Sequence, residues 1–211
     1  MANPSSASKY QLFTITKNNK TFPLQSKVTS FDYYESLLSP NITAIMTFVD
    51  SGLVEKGDEL VKYDKEYDKQ ERPGTLYNAL PIVGDGSEEI KFKISSALGT
   101  LDFSTTPLYV NGASNPDQSS TRESVILNLV SKSAIINQET FVKRNYSKST
   151  NNTQSVRLIA KNLLKIDKLI ADETSNKYPF IGNNTSPFDV ICTLASKSAP
   201  ENGNPGFFFY E

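Results

Sequence analysis

Ile90-Lys91-Phe92-Lys93-Ile94 is the stretch that decides the fold class. Extended, it puts Ile90, Phe92 and Ile94 on one side and Lys91 and Lys93 on the other, the two-residue period of a strand with one buried face. Gly84-Asp85-Gly86-Ser87 before it is turn-rich. Working outward, Leu101–Phe103 and Leu108–Asn111 read as short strands, and Val125, Leu127 and Leu129 alternate within Glu123–Ser131. Upstream, Ala44, Met46 and Phe48 alternate with Thr43, Ile45, Thr47 and Val49 until Ser51-Gly52 closes the run. Gln11–Thr16, Val28–Tyr34 and Leu60–Tyr63 complete a set of about seven or eight short strands without a helix among them, the spacing of a small antiparallel barrel or sandwich. Phe48, Phe92, Ile94, Leu127 and Leu129 are its expected core.

The pattern changes near Thr153. Val156, Ile159, Ala160, Leu163 and Leu164 recur at helical spacing, with Arg157, Lys161, Asn162 and Lys165 facing away. A second helix is expected from Ser186, with Pro187 at its first position and Asp189 near the positive end of its dipole. Phe188, Ile191, Cys192 and Ala195 make its apolar stripe, which predicts a core position for Cys192. Pro200 and Asn202-Gly203-Asn204-Pro205-Gly206 stop it, and Phe207-Phe208-Phe209-Tyr210 opens a strand just before Glu211. Such a strand is expected to be an edge completed by another chain, or the mark of a chain cut short. Residues 1–7 read as a flexible arm. Lys65–Arg72 reads as a solvated hairpin tip or, more sharply, a loop touching a neighbouring subunit.

Composition bounds the chemistry. The 211 residues, 37% hydrophobic and 21% charged, are enough for two domains of about 100 residues each. Lys and Arg number 22 against 23 Asp and Glu, a formal charge of -1 that gives no field to gather nucleic acid. Met1-Ala2-Asn3-Pro4-Ser5-Ser6 lacks a signal peptide's apolar core, and no run approaches the ~20 apolar residues that span a bilayer, so synthesis in a cytoplasm without membrane spanning is expected. Histidine is absent, which removes the commonest general base and metal ligand and excludes Ser-His-Asp and Cys-His nucleophile systems. Cys192 is the only cysteine, too few for a disulfide or a zinc site.

The remaining candidates are weak. Ser6-Ala7-Ser8-Lys9 matches an S-x-x-K dyad within the arm and is read as chance. Asp32 with Glu35, or Asp50 with Glu55, would be the carboxylates of a cell-wall hydrolase, though spacing in sequence does not set separation across a cleft. Gly84-Asp85-Gly86 lacks a third glycine and a helix, and Asp64 with Asp68 lacks the calcium-loop glycine. Tyr33, Tyr34 and the Phe207–Tyr210 run could stack on sugars or single strands, but with no basic stripe beside them packing is the preferred reading. Catalytic, cofactor and metal residues are therefore expected to be none. Phe207, Phe208, Phe209 and Tyr210 are the candidate interface.

Residues 125–211 resemble a known family. Leu127-Asn128-Leu129-Val130-Ser131, Asn137 and Val142-Lys143-Arg144-Asn145-Tyr146 resemble the last barrel strand and its exit in baseplate hub proteins of contractile-tailed bacteriophages. Asn184-Thr185-Ser186-Pro187-Phe188-Asp189-Val190-Ile191, Leu194-Ala195-Ser196-Lys197-Ser198 and Gly206-Phe207-Phe208-Phe209-Tyr210-Glu211 are similar to the central hub subunit of T-even-like phages, especially marine myoviruses. Late-control tail proteins and the N-terminal regions of secretion-system spikes are more distant. The resemblance implies a mainly β chain with an α/β second part: a tail-tube-like antiparallel β-barrel over 8–137, then an α/β domain over 138–211, truncated before a second barrel.

The same resemblance implies a non-enzymatic virion protein of the tail baseplate that adapts the tail tube to the central spike. Its expected partners are itself as a homotrimer, the central spike or tail lysozyme, and tail-tube or tube-initiator proteins, with no specific nucleic acid. The alternative is a receptor- or glycan-binding β module of a virion.

Overall fold

The computed structural model describes residues 8–50, 80, 82–97, 99–118, 123–146, 149–200 and 207–211. They form two compact units, one of residues 1–33 with 43–130 and one of 34–42 with 131–211.

The first unit is built from the alternating stretches. Its strands are β1 (Lys9–Lys17), β2 (Lys20–Pro23), β3 (Val28–Tyr34), β4 (Thr43–Asp50), β5 (Glu89–Ser96), β6 (Gly99–Asp102), β7 (Leu108–Gln118) and β8 (Glu123–Val130). They make one eight-stranded sheet in the order β2-β1-β5-β7-β8-β4-β3, with β6 beside β5. Asn18 and Asn19, both at positive φ, turn β1 into β2, a conformation asparagine tolerates better than most residues. Every second residue is buried: Phe13 and Ile15 on β1, Ala44, Met46 and Phe48 on β4, Ile90 and Phe92 on β5, Val125, Leu127 and Leu129 on β8. Four of the five expected core residues are fully covered, and Ile94 is half-buried. Leu60–Tyr63 and Lys65–Arg72 lie outside the described residues.

The expected barrel is corrected. Among the described residues the sheet is not closed, since its terminal strands β2 and β3 do not pair although they are consecutive in sequence. Pro23 has no N–H to offer, and the connection spends its backbone groups locally, Leu24 N–H donating to Phe13 O and Lys27 N–H to Leu24 O. The ends meet through rings instead. Phe31 of β3 lies 5.3 Å from Phe13 and 4.6 Å from Phe92, which stacks on Phe103 at 4.7 Å. The sheet is curled far enough for opposite ends of its strand order to share one aromatic cluster.

One close approach fixes the segment before β5. A Cβ on Gly84 would lie 2.6 Å from the Gly112 Cα, and Gly84 has φ +74°, so only glycine fits. Gly86 N–H then donates to Val110 O and Val110 N–H to Glu88 O, carrying this segment along β7.

The second unit holds α1 (Lys132–Glu139), β9 (Asn145–Tyr146), α2 (Asn152–Asn162), β10 (Phe180–Ile181) and α3 (Pro187–Ser196). α2 and α3 are the two helices the sequence predicts. Asn151 and Gln154 form a reciprocal capping box on α2, and Ser186 accepts from Asp189 N–H at the start of α3. α1 is not apparent from periodicity, because Lys132–Glu139 carries no continuous apolar stripe and buries only Ser133 and Ala134. The position of Cys192 is also corrected: it is exposed, while Val190 and Leu194 join Phe188 and Ile191 on the buried side. The stripe is centred about one residue away from the expected one.

Phe92 touches rings from three other segments, so truncating it removes the contact that ties the sheet ends together. Phe92→Ala should lower the unfolding free energy by about 3–5 kcal/mol in urea titration, and a loss below about 1 kcal/mol would refute this role.

Candidate functional site

Two polar features stand out, one in each unit. In the first, the alternation runs past its apolar residues onto charge. Lys17 ends the Phe13, Ile15 row and Asp50 ends the Ala44, Met46, Phe48 row, while Glu123 precedes Val125 on β8. Lys17 Nζ lies 2.7 Å from Glu88 Oε1, the two side chains 9% and 0% exposed. Val83 N–H donates to the same oxygen at 2.9 Å. Lys27 Nζ meets Asp50 Oδ1 at 2.7 Å, and Asp50 stands opposite Glu123 in register. The pairings of Thr16 with Glu89 and of Asp50 with Glu123 put the two ion pairs at opposite ends of the buried face. Buried pairs of this kind rarely add net stability but make misregistered alternatives costly.

In the second unit, Asn152, 1% exposed, pins the long connection after α2. Its Nδ2 donates to Ser198 Oγ at 3.0 Å, and its Oδ1 accepts from Tyr178 N–H at 2.8 Å. Phe207–Glu211 runs beside this network with alternating exposure. Phe207, Phe209 and Glu211 are partly buried, whereas Phe208 and Tyr210 are 61% and 49% exposed. The expected strand is not formed, for the segment has no strand partner among the described residues. Phe209 packs on Phe188 at 5.6 Å. The Glu211 carboxylate accepts from the Ser133 hydroxyl and, at 3.5 Å, from Ile42 N–H. Burial pushes its carboxyl above the usual carboxylate range, partly offset by the Ser131 hydroxyl and the Ile42 amide. Together with Ile170, which is 88% exposed, and residues of α2 and α3, the segment lines an open cleft of about 640 Å³.

Among the described residues the other sequence candidates are not brought together. Asp32 and Glu35 are each exposed. Asp50 is buried in its ion pair, and Glu55, Asp64, Asp68, Ser6 and Ala7 lie outside the described residues. Tyr33 packs on Phe103 at 5.7 Å, leaving Tyr34 exposed. Partial burial and the neighbouring Asp189 raise the Cys192 thiol, which disfavours the reactive thiolate. No group of three or more His, Cys, Asp or Glu able to hold a metal occurs among the described residues, and no described helix is long and apolar enough to cross a membrane. The buried Lys17, Glu88 and Glu123 are not among the sequence candidates; a charge in phase with an apolar strand row is their signal.

No family model matches the sequence, and no curated protein matches it. Solved structures do. The 43 kDa tail protein of prophage MuSo2 from Shewanella oneidensis superposes over 90% of this chain with a TM-score of 0.56 at 9% identity. Its fold is shared with a phage tail protein. A tail protein from Neisseria meningitidis MC58 matches over 87% of the chain with a TM-score of 0.49 at 8% identity. The E. coli c3393 protein matches over 90% with a TM-score of 0.47 at 11% identity; it is a type VI secretion component described as similar to the T4 tail proteins gp27 and gp5. This chain spans 48%, 44% and 40% of the three, less than half of each neighbour's length. The fold shared with the Shewanella protein is mainly β with some α, as the sequence predicts.

Two outcomes follow from the polar features. Lys17→Met alone leaves Glu88 buried without its cation and should cost about 3–5 kcal/mol in chemical denaturation, whereas Lys17→Met with Glu88→Leu should recover most of that loss. For Glu211 the folded carboxyl titrates above its unfolded value, so its contribution is fully present below the ordinary value of 4.5 and is lost as pH rises through the raised one. The melting temperature of Glu211→Gln relative to the wild type should accordingly rise from pH 4 to pH 7; a pH-independent difference would contradict the buried carboxyl.

Proposed function

We propose that this chain is a structural subunit of a contractile tail, a baseplate hub protein that adapts the tail tube to the central spike. The observation that carries this reading is the fold shared with the Shewanella tail protein over nine-tenths of the chain. The resemblance of residues 125–211 to hub proteins narrows it from tail to hub. The absence of histidine fits a protein that works by shape and interfaces rather than turnover. Partners in this reading are further copies of the chain as a trimer, the spike or tail lysozyme below, and tube or tube-initiator proteins above, in a virion assembled in the host cytoplasm.

Phe208 and Tyr210 are the residues assigned to these contacts. Neighbouring Phe207 and Phe209 turn inward, so the outward pair is available to a partner. The exposure of the same two rings beside a cleft also favours a second reading, a receptor- or glycan-binding module, since aromatic faces at a cleft suit sugar stacking.

Replacing both with serine removes apolar burial of roughly 1.5–3 kcal/mol each at an interface and leaves the monomer fold intact. Phe208→Ser with Tyr210→Ser should therefore reduce incorporation into purified tails by at least about tenfold, measured by quantitative mass spectrometry. Unchanged incorporation with lost binding on a glycan array would select the second reading. Absence of the wild-type chain from virions would reject both.

A further inference from the structure

Phe207–Glu211 is held in an unusual way. Its side chains alternate between partly buried and exposed, yet among the described residues no backbone-to-backbone hydrogen bond holds it. Its attachments are side-chain contacts only: Phe209 on Phe188 at 5.6 Å, and the Glu211 carboxylate on the Ser133 hydroxyl and Ile42 N–H. Elsewhere in this unit extended pieces are fixed by their backbones, as where Val142 N–H donates to Thr185 O and Asn184 N–H to Val142 O, or where Ser175 N–H donates to Ala199 O.

The seat of Glu211 supplies its carboxyl with hydrogen-bond donors that offset part of the cost of burial. Ser131 caps α1, accepting from Ala134 N–H, and its hydroxyl lies 3.1 Å from that of Ser133 in the first turn. The helix N-terminus adds a positive partial charge there. Ile42 N–H comes from a segment distant in sequence, and Ser131 N–H donates to Ile42 O, so the seat itself is fixed by backbone. A fixed seat and a segment without backbone bonds make a separable pair.

We propose that Phe207–Glu211 is a strap latched by the Glu211 carboxylate, which releases as one piece while the helices stay folded. Release takes Phe209 off Phe188 and removes one wall of the 640 Å³ cleft, leaving the face of α3 around Ile191 and Ala195 open. Segments whose closure rests on few side-chain contacts open locally at a small fraction of the global unfolding free energy. The latch is a conformational device of the fold, independent of whether the chain serves a tail.

Chymotrypsin cleavage after Phe207–Tyr210 in the full chain reports release, because the protease requires the strap to leave the surface. Glu211→Ala and Ser133→Ala should each accelerate this cleavage by roughly tenfold or more, the fold-change expected for losing a hydrogen bond to a charged group. Glu211→Gln, which can still accept from Ser133 and Ile42, should cleave within about threefold of the wild type by the same argument. Amide exchange of α2 and α3 should be unchanged in all three. Equal cleavage in wild type and both alanine variants overturns the latch. So does loss of α3 protection in step with cleavage, since the segment would then be part of the core; the Ser133 and Gln variants keep the test decisive if Glu211→Ala does not fold.

Discussion

The Phe31 ring, set against Phe13 and Phe92, is the contact on which the β unit depends. β3 and β1 lie near opposite ends of the strand order, so nothing in the hydrogen-bonded ladder requires them to meet. An open sheet exposes one of its two faces unless something covers it. Here the sheet covers its own face by curling until its ends share rings. Among the described residues hydrogen bonds do not close the circle, and Pro23 has no N–H to contribute to closure.

That distinction explains what could be read from the residues and what could not. Alternation located β4, β5 and β8 within a few residues, because one face of each is buried and a slip by one residue would invert it. β2 was not legible: Lys20–Pro23 is short, and only Phe22 in it is buried. Closure was not legible either, since the same apolar rows suit a closed barrel and a curled sheet. α1 escaped for the opposite reason, as a helix positioned by its Ser131 cap and neighbouring contacts rather than by an apolar stripe. In α3 the cap and the proline were read correctly, while Cys192 was placed inside. A small apolar residue at the margin of a stripe carries too little hydrophobic weight to orient a helix by itself.

The buried charges show the same limit from another side. Lys17 and Glu88 are 71 residues apart, and only the pairing of β1 with β5 brings them together. Each looks like an ordinary surface charge until the strand period is followed to its end. Asp50, considered as a catalytic carboxylate, is instead held by Lys27, with Glu123 opposite. In water-poor surroundings an ion pair at each end of an apolar row penalises any register that would bury one partner alone. The charges therefore act on the choice of register, and the apolar rows between them supply the stability.

The candidate interface follows from alternation as well, but without a ladder to fix it. Five residues in succession, Phe207 to Glu211, alternate inward and outward as a strand does, and the inward members include a charge. Two rings and a carboxylate hold a segment whose backbone has no partner among the described residues. Backbone pairing would have made it a permanent edge of a sheet; side-chain anchoring makes its attachment depend on one carboxylate and one ring contact. In the first unit a charge at the end of an apolar row locks a register that hydrogen bonds already define. In the second, the charge at the end of the row is itself the fastening, which is why the same two-residue period gives a rigid sheet in one place and a detachable strap in the other.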